Sequence, residues 1–191
     1  MKILIRILGF IALASISSLM IGCASPAPKY SPLIDNVEAI KRSGSEPAKV
    51  ETITVSSTLP GANSISLRAE SMTAPSGNNF GDYIAAALRT ELELARLHNP
   101  LSPTAISGVL LKNNINAGGF STNDGQIEVR FTVKRGDQLR YDKTKQINHQ
   151  WESSFLGAVA IPAARNNYPV MVQKLITELV NDPEFVKALK N

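Results

Sequence analysis

The sequence predicts an α+β domain in which an antiparallel sheet of about five strands carries two main helices on one face. Three observations support this prediction. Apolar and polar residues alternate strictly at 127–134, which is typical of a strand with one buried face. Apolar residues recur every four positions at 80–92, which indicates a helix with one buried stripe. Turn residues separate short elements along the chain, and the predicted order is β-β-α-β-β-β-α.

The first three elements fall within 50–97. β-branched residues at 50–55 and alternation at 65–70 predict two strands, with a Pro-Gly turn between them. A loop rich in Gly and Asn then leads into the helix predicted at 80–97. Asn99-Pro100 ends this helix, because the residue before a proline disfavours the α conformation.

The sequence of the second half of the domain predicts three strands and a helix. Arg135-Gly136-Asp137-Gln138 forms a hairpin turn between the last two strands, and the second helix begins near Tyr168-Pro169. Antiparallel hairpins with both helices on one side leave the other face of the sheet open to water or to a partner. The strands are predicted at 104–115, 127–134 and 139–151.

The only cysteine, Cys23, follows a short apolar segment at 7–21 that is preceded by two cations. This segment is short for a membrane span, and its flanks fit an export signal. Gly22 directly before Cys23 resembles the lipobox of bacterial lipoproteins. The resemblance implies a signal peptide at 1–22, cleavage between Gly22 and Cys23, and acyl chains on Cys23 that hold the protein on a membrane. The alternative is an ordinary secretory signal with a chance cysteine near its end.

Residues 23–48 are predicted to be the lipidated cysteine and a flexible tether, because four prolines and a Ser-Gly-Ser run interrupt them. Apolar spacing at 34–40 is also compatible with a short helical turn. Residues 49–191 are predicted to form one periplasmic domain, a size that supports a single core. The chain has 20 basic and 16 acidic residues, and this near balance gives no reason to expect a nucleic-acid partner.

Reactive side chains show no catalytic pattern. The two histidines, His98 and His149, lack the spacing of metal ligands, and the sequence contains no nucleophile elbow or phosphate-binding loop. With Cys23 assigned to lipid, no other cysteine remains for a disulfide or a metal site. We therefore predict no catalytic residues, no metal, no cofactor and no enzymatic activity.

Two segments are candidate interaction surfaces. The loop Gly118-Gly119-Phe120 places an aromatic residue beside two glycines in a polar hairpin, where it either anchors a partner or folds back onto the sheet edge. The run from Phe155 and Leu156 to Ile161 is too apolar for a solvated loop. It either packs under the final helix or forms a contact patch for a partner or the membrane surface.

These elements together resemble the YajG-like small outer-membrane lipoproteins of Gram-negative bacteria. The likeness lies in Gly22-Cys23, the helix from Phe80, the strand that ends at 151–157, and the helix at 166–179. It implies a lipid anchor in the outer membrane, a domain facing the periplasm, and a distant likeness to accessory lipoproteins of envelope assembly and transport machines. Ala24, where inner-membrane lipoproteins carry Asp, favours the same location.

The expected function is therefore non-catalytic binding or scaffolding of another cell-envelope component, with an envelope protein as the expected partner. The alternative is a periplasmic binding domain for a lipid, a glycan or a peptidoglycan fragment, in a pocket between the sheet and the helices.

Overall fold

A computed structural model of the protein describes residues 24–60, 63–75 and 79–190, and it confirms the α+β class. The lipobox and the predicted signal peptide at 1–22 lie outside these residues. Within them, no helix is long and apolar enough to cross a membrane. In chain order the elements are β1 (Ala24–Pro26), α1 (Ile34–Arg42), β2 (Lys49–Val55), β3 (Ser64–Leu67), β4 (Glu70–Thr73), α2 (Phe80–Leu94), β5 (Thr104–Asn116), β6 (Thr122–Arg135), β7 (Gln138–Glu152), α3 (Gly157–Val180) and α4 (Pro183–Ala188).

The strands form two sheets. The larger has the order β2-β5-β6-β7, in which β5, β6 and β7 are antiparallel neighbours and β2 lies parallel to β5. The smaller has the order β1-β4-β3. Helix α2 packs against β2, and α3 packs against β6 and β7. The two helices meet where the rings of Phe80 and Tyr168 lie 4.9 Å apart, in a core where both side chains are fully buried.

The prediction of one sheet of about five strands differs from the structure in detail. The chain between β2 and β5 contains a helix, and such a crossover places the two strands parallel. The predicted strand at 65–70 is instead a hairpin, since Arg68 adopts a φ of 58° and turns the chain between β3 and β4. A positive φ is uncommon for arginine, and alternation alone gives no sign of it.

Helix α3 begins eleven residues before the position predicted for it, at Gly157 instead of Tyr168. Pro162 and Pro169 both lie inside it, which sequence rules treat as breaks. The helix continues through them because its first turns bury apolar side chains, including Ile161 and Ala164. Tertiary packing here outweighs the local preference.

Residues 24–48 are not a flexible tether, so this prediction is wrong. Ala24 pairs with Ser71 in the smaller sheet, and α1 buries Val37 and Ile40 in the core. Prolines suggested a linker, yet Pro26 lies on an edge strand, where the missing N–H costs little. The stretch between β1 and α1 is held by side chains, such as the Tyr83 hydroxyl donating to the Pro28 carbonyl at 2.8 Å.

A buried carboxylate fixes this N-terminal segment. Glu91 on α2 is fully buried and accepts hydrogen bonds from the Tyr30 hydroxyl and from the Leu33 amide at 3.1 Å. The Asn36 side chain donates to it at 3.4 Å and also accepts a hydrogen bond from the Thr177 hydroxyl of α3 at 2.8 Å. Burial raises the pKa of Glu91, although these three donors act in the opposite direction. The segment is thus tied to both main helices.

Candidate functional site

The two candidate segments meet in space. The Phe120 ring stacks on the Phe155 ring with 5.6 Å between centroids and 4° between planes. Both side chains remain exposed, at 72% and 70%. Leu156 and Val159 are exposed beside Phe155 in the chain, and we call these four residues the aromatic corner. Phe120 therefore does not fold back into the sheet, and it forms one surface with the start of α3.

The pairing of β6 with β7 brings the two segments together. Thr122 at the start of β6 lies opposite Glu152 at the end of β7, so the loops that precede and follow these strands are neighbours. The Ser153 amide continues the pairing by donating to the Ser121 carbonyl at 2.7 Å. Phe120 directly precedes Ser121 in the chain, and Phe155 follows Ser153 by two residues. Their contact is a consequence of strand register.

Arg68 holds the two loops in place from the β3–β4 turn. Its Nε donates to the Ala117 carbonyl at 2.6 Å, and Nη2 donates to the carbonyls of Gly119 and Ser154, both at 2.9 Å. Nη1 donates to the Phe155 carbonyl at 2.9 Å. A planar guanidinium with several fixed donors suits this task, since one side chain satisfies four backbone acceptors from two loops.

We expect Arg68→Ala to loosen the aromatic corner without unfolding the domain. A hydrogen bond to a charged group contributes about 1.5–3 kcal/mol to stability. The four bonds here share one side chain and are not additive, so we expect Arg68→Ala to lower the free energy of unfolding by about that amount in total. Hydrogen–deuterium exchange should rise at 119–121 and 153–156. It should stay unchanged at the β6–β7 turn, which Arg68 does not touch. Arg68→Lys, which keeps the charge but not the planar fork, should rescue little. Unchanged exchange at both loops would contradict the role of Arg68.

Gly118 and Gly119 shape the first loop. A Cβ on Gly119 would lie 1.7 Å from the Thr122 carbonyl oxygen, so only glycine fits without a backbone shift. Its amide donates to the buried Asn123 side chain at 3.0 Å, and the Gly118 amide donates to the Asn116 side chain at 3.2 Å. The glycines therefore permit a tight loop that presents Phe120, and their amides are already bonded within the loop.

The second segment divides between surface and core. Leu156 is 61% exposed, whereas Ile161 is buried in the hydrophobic core. The prediction that Ile161 is an interaction residue is therefore wrong, because helix periodicity turns it inward. Val159 takes its place on the surface, half a turn away. Val159 and Arg68 were not among the predicted site residues, because local patterns indicated neither the early start of α3 nor the turn at Arg68.

The two chain segments that form the corner carry no charged side chain. Residues 153–164 and 117–123 contain no Asp, Glu, Lys or Arg. Arg68 is committed to carbonyls, and Arg165 on α3 donates to the Pro26 carbonyl of β1 at 3.2 Å. The corner is thus an uncharged, aromatic and aliphatic surface, and β1 contacts the same helix, α3.

A groove of about 510 Å³ lies between the β3–β4 hairpin and β5. Its lining is mixed, with serines, asparagines and Lys112 alongside Leu59 and Ile115. The predicted ligand pocket would instead lie between the sheet and the helices. Tyr168 and Leu175 of the α3 stripe have no exposed surface, so that part of the interface between sheet and helix is solidly packed.

A cluster of bonded titratable groups surrounds Asp182, away from the corner. Asp182 accepts from Lys145 at 2.7 Å and from the Tyr141 hydroxyl at 3.0 Å, and its side chain also caps α4. Burial raises the pKa of Asp182, but these partners outweigh it and lower the value to about 2. The cluster holds α4 on β7.

The histidines lie apart, and in the described part of the chain neither contacts both a hydroxyl and a carboxylate. His149 bonds to Asn167 at 3.0 Å and to Lys174 at 2.8 Å, and burial together with the Lys174 charge lowers its pKa. His98 lies 3.5 Å from Glu93. No group of three His, Cys, Asp or Glu residues is placed to bind a metal within residues 24–60, 63–75 and 79–190.

Comparison with known proteins shows a similar fold but no close sequence relative. Neither the scan against protein-family models nor the search of curated proteins found a match. A crystal structure of a DUF330-family protein from Xanthomonas campestris has a TM-score of 0.58 at 12% identity, over 86% of this chain and 96% of that one. This likeness shows a shared α+β fold.

Two further structures match more weakly. A hypothetical protein from Chlamydia trachomatis has a TM-score of 0.44 at 12% identity, over 76% of this chain and 99% of that one. An uncharacterised protein has a TM-score of 0.40 at 8% identity, over 82% and 99% of the two chains.

Proposed function

We propose that this protein is an outer-membrane lipoprotein whose periplasmic domain binds another component of the cell envelope without catalysing a reaction. In this proposal Cys23 carries the acyl chains, and the aromatic corner is the binding surface. The lipobox-like Gly22-Cys23 and the likeness to YajG-like lipoproteins support the anchor.

The observation that carries the binding role is the exposure of Phe120 and Phe155 on a braced scaffold. A soluble domain gains stability by burying aromatic rings, so two stacked rings that remain about 70% exposed are costly unless they serve a contact. Arg68 fixes their loops before any partner arrives, which reduces the entropy lost on binding.

A second candidate function is ligand binding in the groove beside β5, to a glycan or a peptidoglycan fragment. Its serines and asparagines, such as Ser66 and Asn114, offer the hydrogen-bonding groups that a sugar needs. It has weaker support, because the groove is open and lacks an aromatic platform.

The test is quantitative co-purification of the tagged, full-length protein from crosslinked and detergent-solubilised envelopes. We expect a defined set of envelope proteins or lipids to be enriched with the wild type and depleted with Phe120→Ser. Leu139→Ser is the matched control, because Leu139 is also exposed but lies at the other end of β7. Equal recovery with all three proteins would exclude the aromatic corner as the binding surface.

A further inference from the structure

We propose that the envelope component bound by the aromatic corner is the lipid bilayer itself, at the membrane that holds the acyl chains of Cys23. This inference rests on the proposed lipidation of Cys23. The stacked rings of Phe120 and Phe155, with Leu156 and Val159, would enter the boundary between headgroups and acyl chains. The domain would then be held on the membrane at two points.

Very little chain separates the proposed anchor from the fold. Ala24, the residue after Cys23, already pairs with Ser71 in the smaller sheet. No spacer therefore separates the proposed lipidation site from β1. Consecutive Cα atoms lie about 3.8 Å apart, so the acyl chains would begin beside the surface that surrounds β1.

β1 also begins near the turn that holds the aromatic corner. β1 runs parallel to β4, and Ala24 is at the end of this small sheet where the β3–β4 turn carries Arg68. Ser71 follows Arg68 by three residues, a path of about 10 Å. The guanidinium of Arg68 in turn bonds to the loops that present Phe120 and Phe155. The chain thus enters the domain next to the aromatic corner.

A contact between β1 and α3 also places β1 on the side of the domain that carries the aromatic corner. Arg165 on α3 donates to the Pro26 carbonyl of β1, and Val159 lies on the same helix, less than two turns earlier. β1 therefore contacts α3 within two turns of Val159.

The composition of the aromatic corner also suits contact with a bilayer. The corner combines aromatic and aliphatic side chains with two segments, 117–123 and 153–164, that carry no charged residue. Charged groups in such a surface would oppose entry into a bilayer. Aromatic side chains are favoured at the membrane interface, where an apolar face buries about 5–10 Å deep. Because the acyl chains keep the corner at a high local concentration of lipid, a weak intrinsic affinity is sufficient.

The bilayer is thus favoured over a soluble partner, since a partner would need to fit between the corner and the nearby membrane.

Docking would also orient the domain. β7 leads from Leu139 to the corner over 13 residues, which at about 3.3 Å per residue places Leu139 roughly 40 Å away. The β6–β7 turn would point away from the membrane.

The experiment places a fluorescent dye at each end of β7 in the acylated, full-length protein. The chain has one cysteine, whose sulfur the lipid would occupy, so a cysteine introduced by Leu156→Cys or Leu139→Cys can be labelled alone with NBD. Both leucines are exposed, at 61% and 54%, which makes the variants a matched pair. Each labelled protein is reconstituted into vesicles of phosphatidylethanolamine and phosphatidylglycerol that contain a nitroxide-labelled lipid.

We expect lipid-borne nitroxide to quench the dye at position 156 at least about twofold more than the dye at 139, with a blue shift only at 156. Flotation of the same vesicles reports the anchor separately. Protein that floats while neither dye is quenched keeps its anchor, which overturns membrane docking and leaves the proposed function intact. Equal quenching at both positions also overturns it, because the domain would then have no fixed orientation. Protein that fails to float overturns the proposed anchor and the docking together.

Discussion

Replacing Cys23 by serine is expected to abolish lipid attachment completely. A serine oxygen cannot form the thioether that holds the diacylglycerol, and processing after Gly22 depends on that modification in the lipoproteins that the sequence resembles. The variant should incorporate no palmitate analogue. It should also either accumulate as an unprocessed precursor or appear in the soluble periplasmic fraction. The measurement is metabolic labelling followed by membrane fractionation.

A matched control for Cys23→Ser is Ala24→Asp. Ala24 is exposed at the edge of the smaller sheet, so the change should leave folding and acylation intact. By the sorting pattern of the lipoproteins that the chain resembles, the aspartate should retain the protein at the inner membrane. A Cys23→Ser protein that still carries the palmitate analogue would overturn the anchor, whatever its fraction.

Glu91→Ala is expected to cause a large loss of stability. It would leave the Tyr30 hydroxyl, the Leu33 amide and the Asn36 side chain without their shared acceptor in the interior. Breaking a buried network of this kind costs about 3–5 kcal/mol. For a protein of this length that lowers the melting temperature by roughly 6–20 °C. Limited proteolysis should cut first at 27–36, because the N-terminal segment loses its attachment to α2.

Glu91→Gln tests the charge on the same side chain. Burial raises the pKa of Glu91 above its unfolded value, so the contribution of this shift to stability is fully present at low pH. That contribution falls as the pH rises from the unfolded value, about 4.3, through the higher folded value. The wild type should therefore lose stability relative to Glu91→Gln as the pH rises above about 4. A gain over that range, measured by thermal unfolding, would contradict the raised pKa.

Local patterns predicted the antiparallel meander well. The alternation in β6 and the turn at Gly136 are properties of adjacent residues, and they specify a hairpin without reference to the rest of the chain. The docking of the N-terminal segment is different. It depends on contacts such as Tyr30 with Glu91, which are 61 residues apart in the chain. The prolines of this segment are typical of a linker. The contacts that order the segment come from residues distant in the chain, so they are visible only in the tertiary structure.

The sequence indicated the residues of the aromatic corner only in part. Phe120 and Phe155 each stood out as apolar residues in an unsuitable context, yet nothing local showed that they touch. Their contact follows from the register of β6 on β7, which places Thr122 opposite Glu152. Arg68 could not have been found, because the prediction of a continuous strand at 65–70 hid the turn from which it reaches the loops.

The attachment of the N-terminal segment to α3 also sets an order of events during folding. The side chains of Gln173 and Thr177 donate to Ser31 and Asn36. The N-terminal segment therefore obtains these partners only from α3, near the C-terminal end of the described residues. Contacts of such long sequence separation form late. Under the proposed export the N terminus emerges first, and Ser31 and Asn36 then wait unpaired for partners that lie 142 and 141 residues further along the chain. That delay would leave the segment after residue 23 unfolded while the proposed lipid modification takes place.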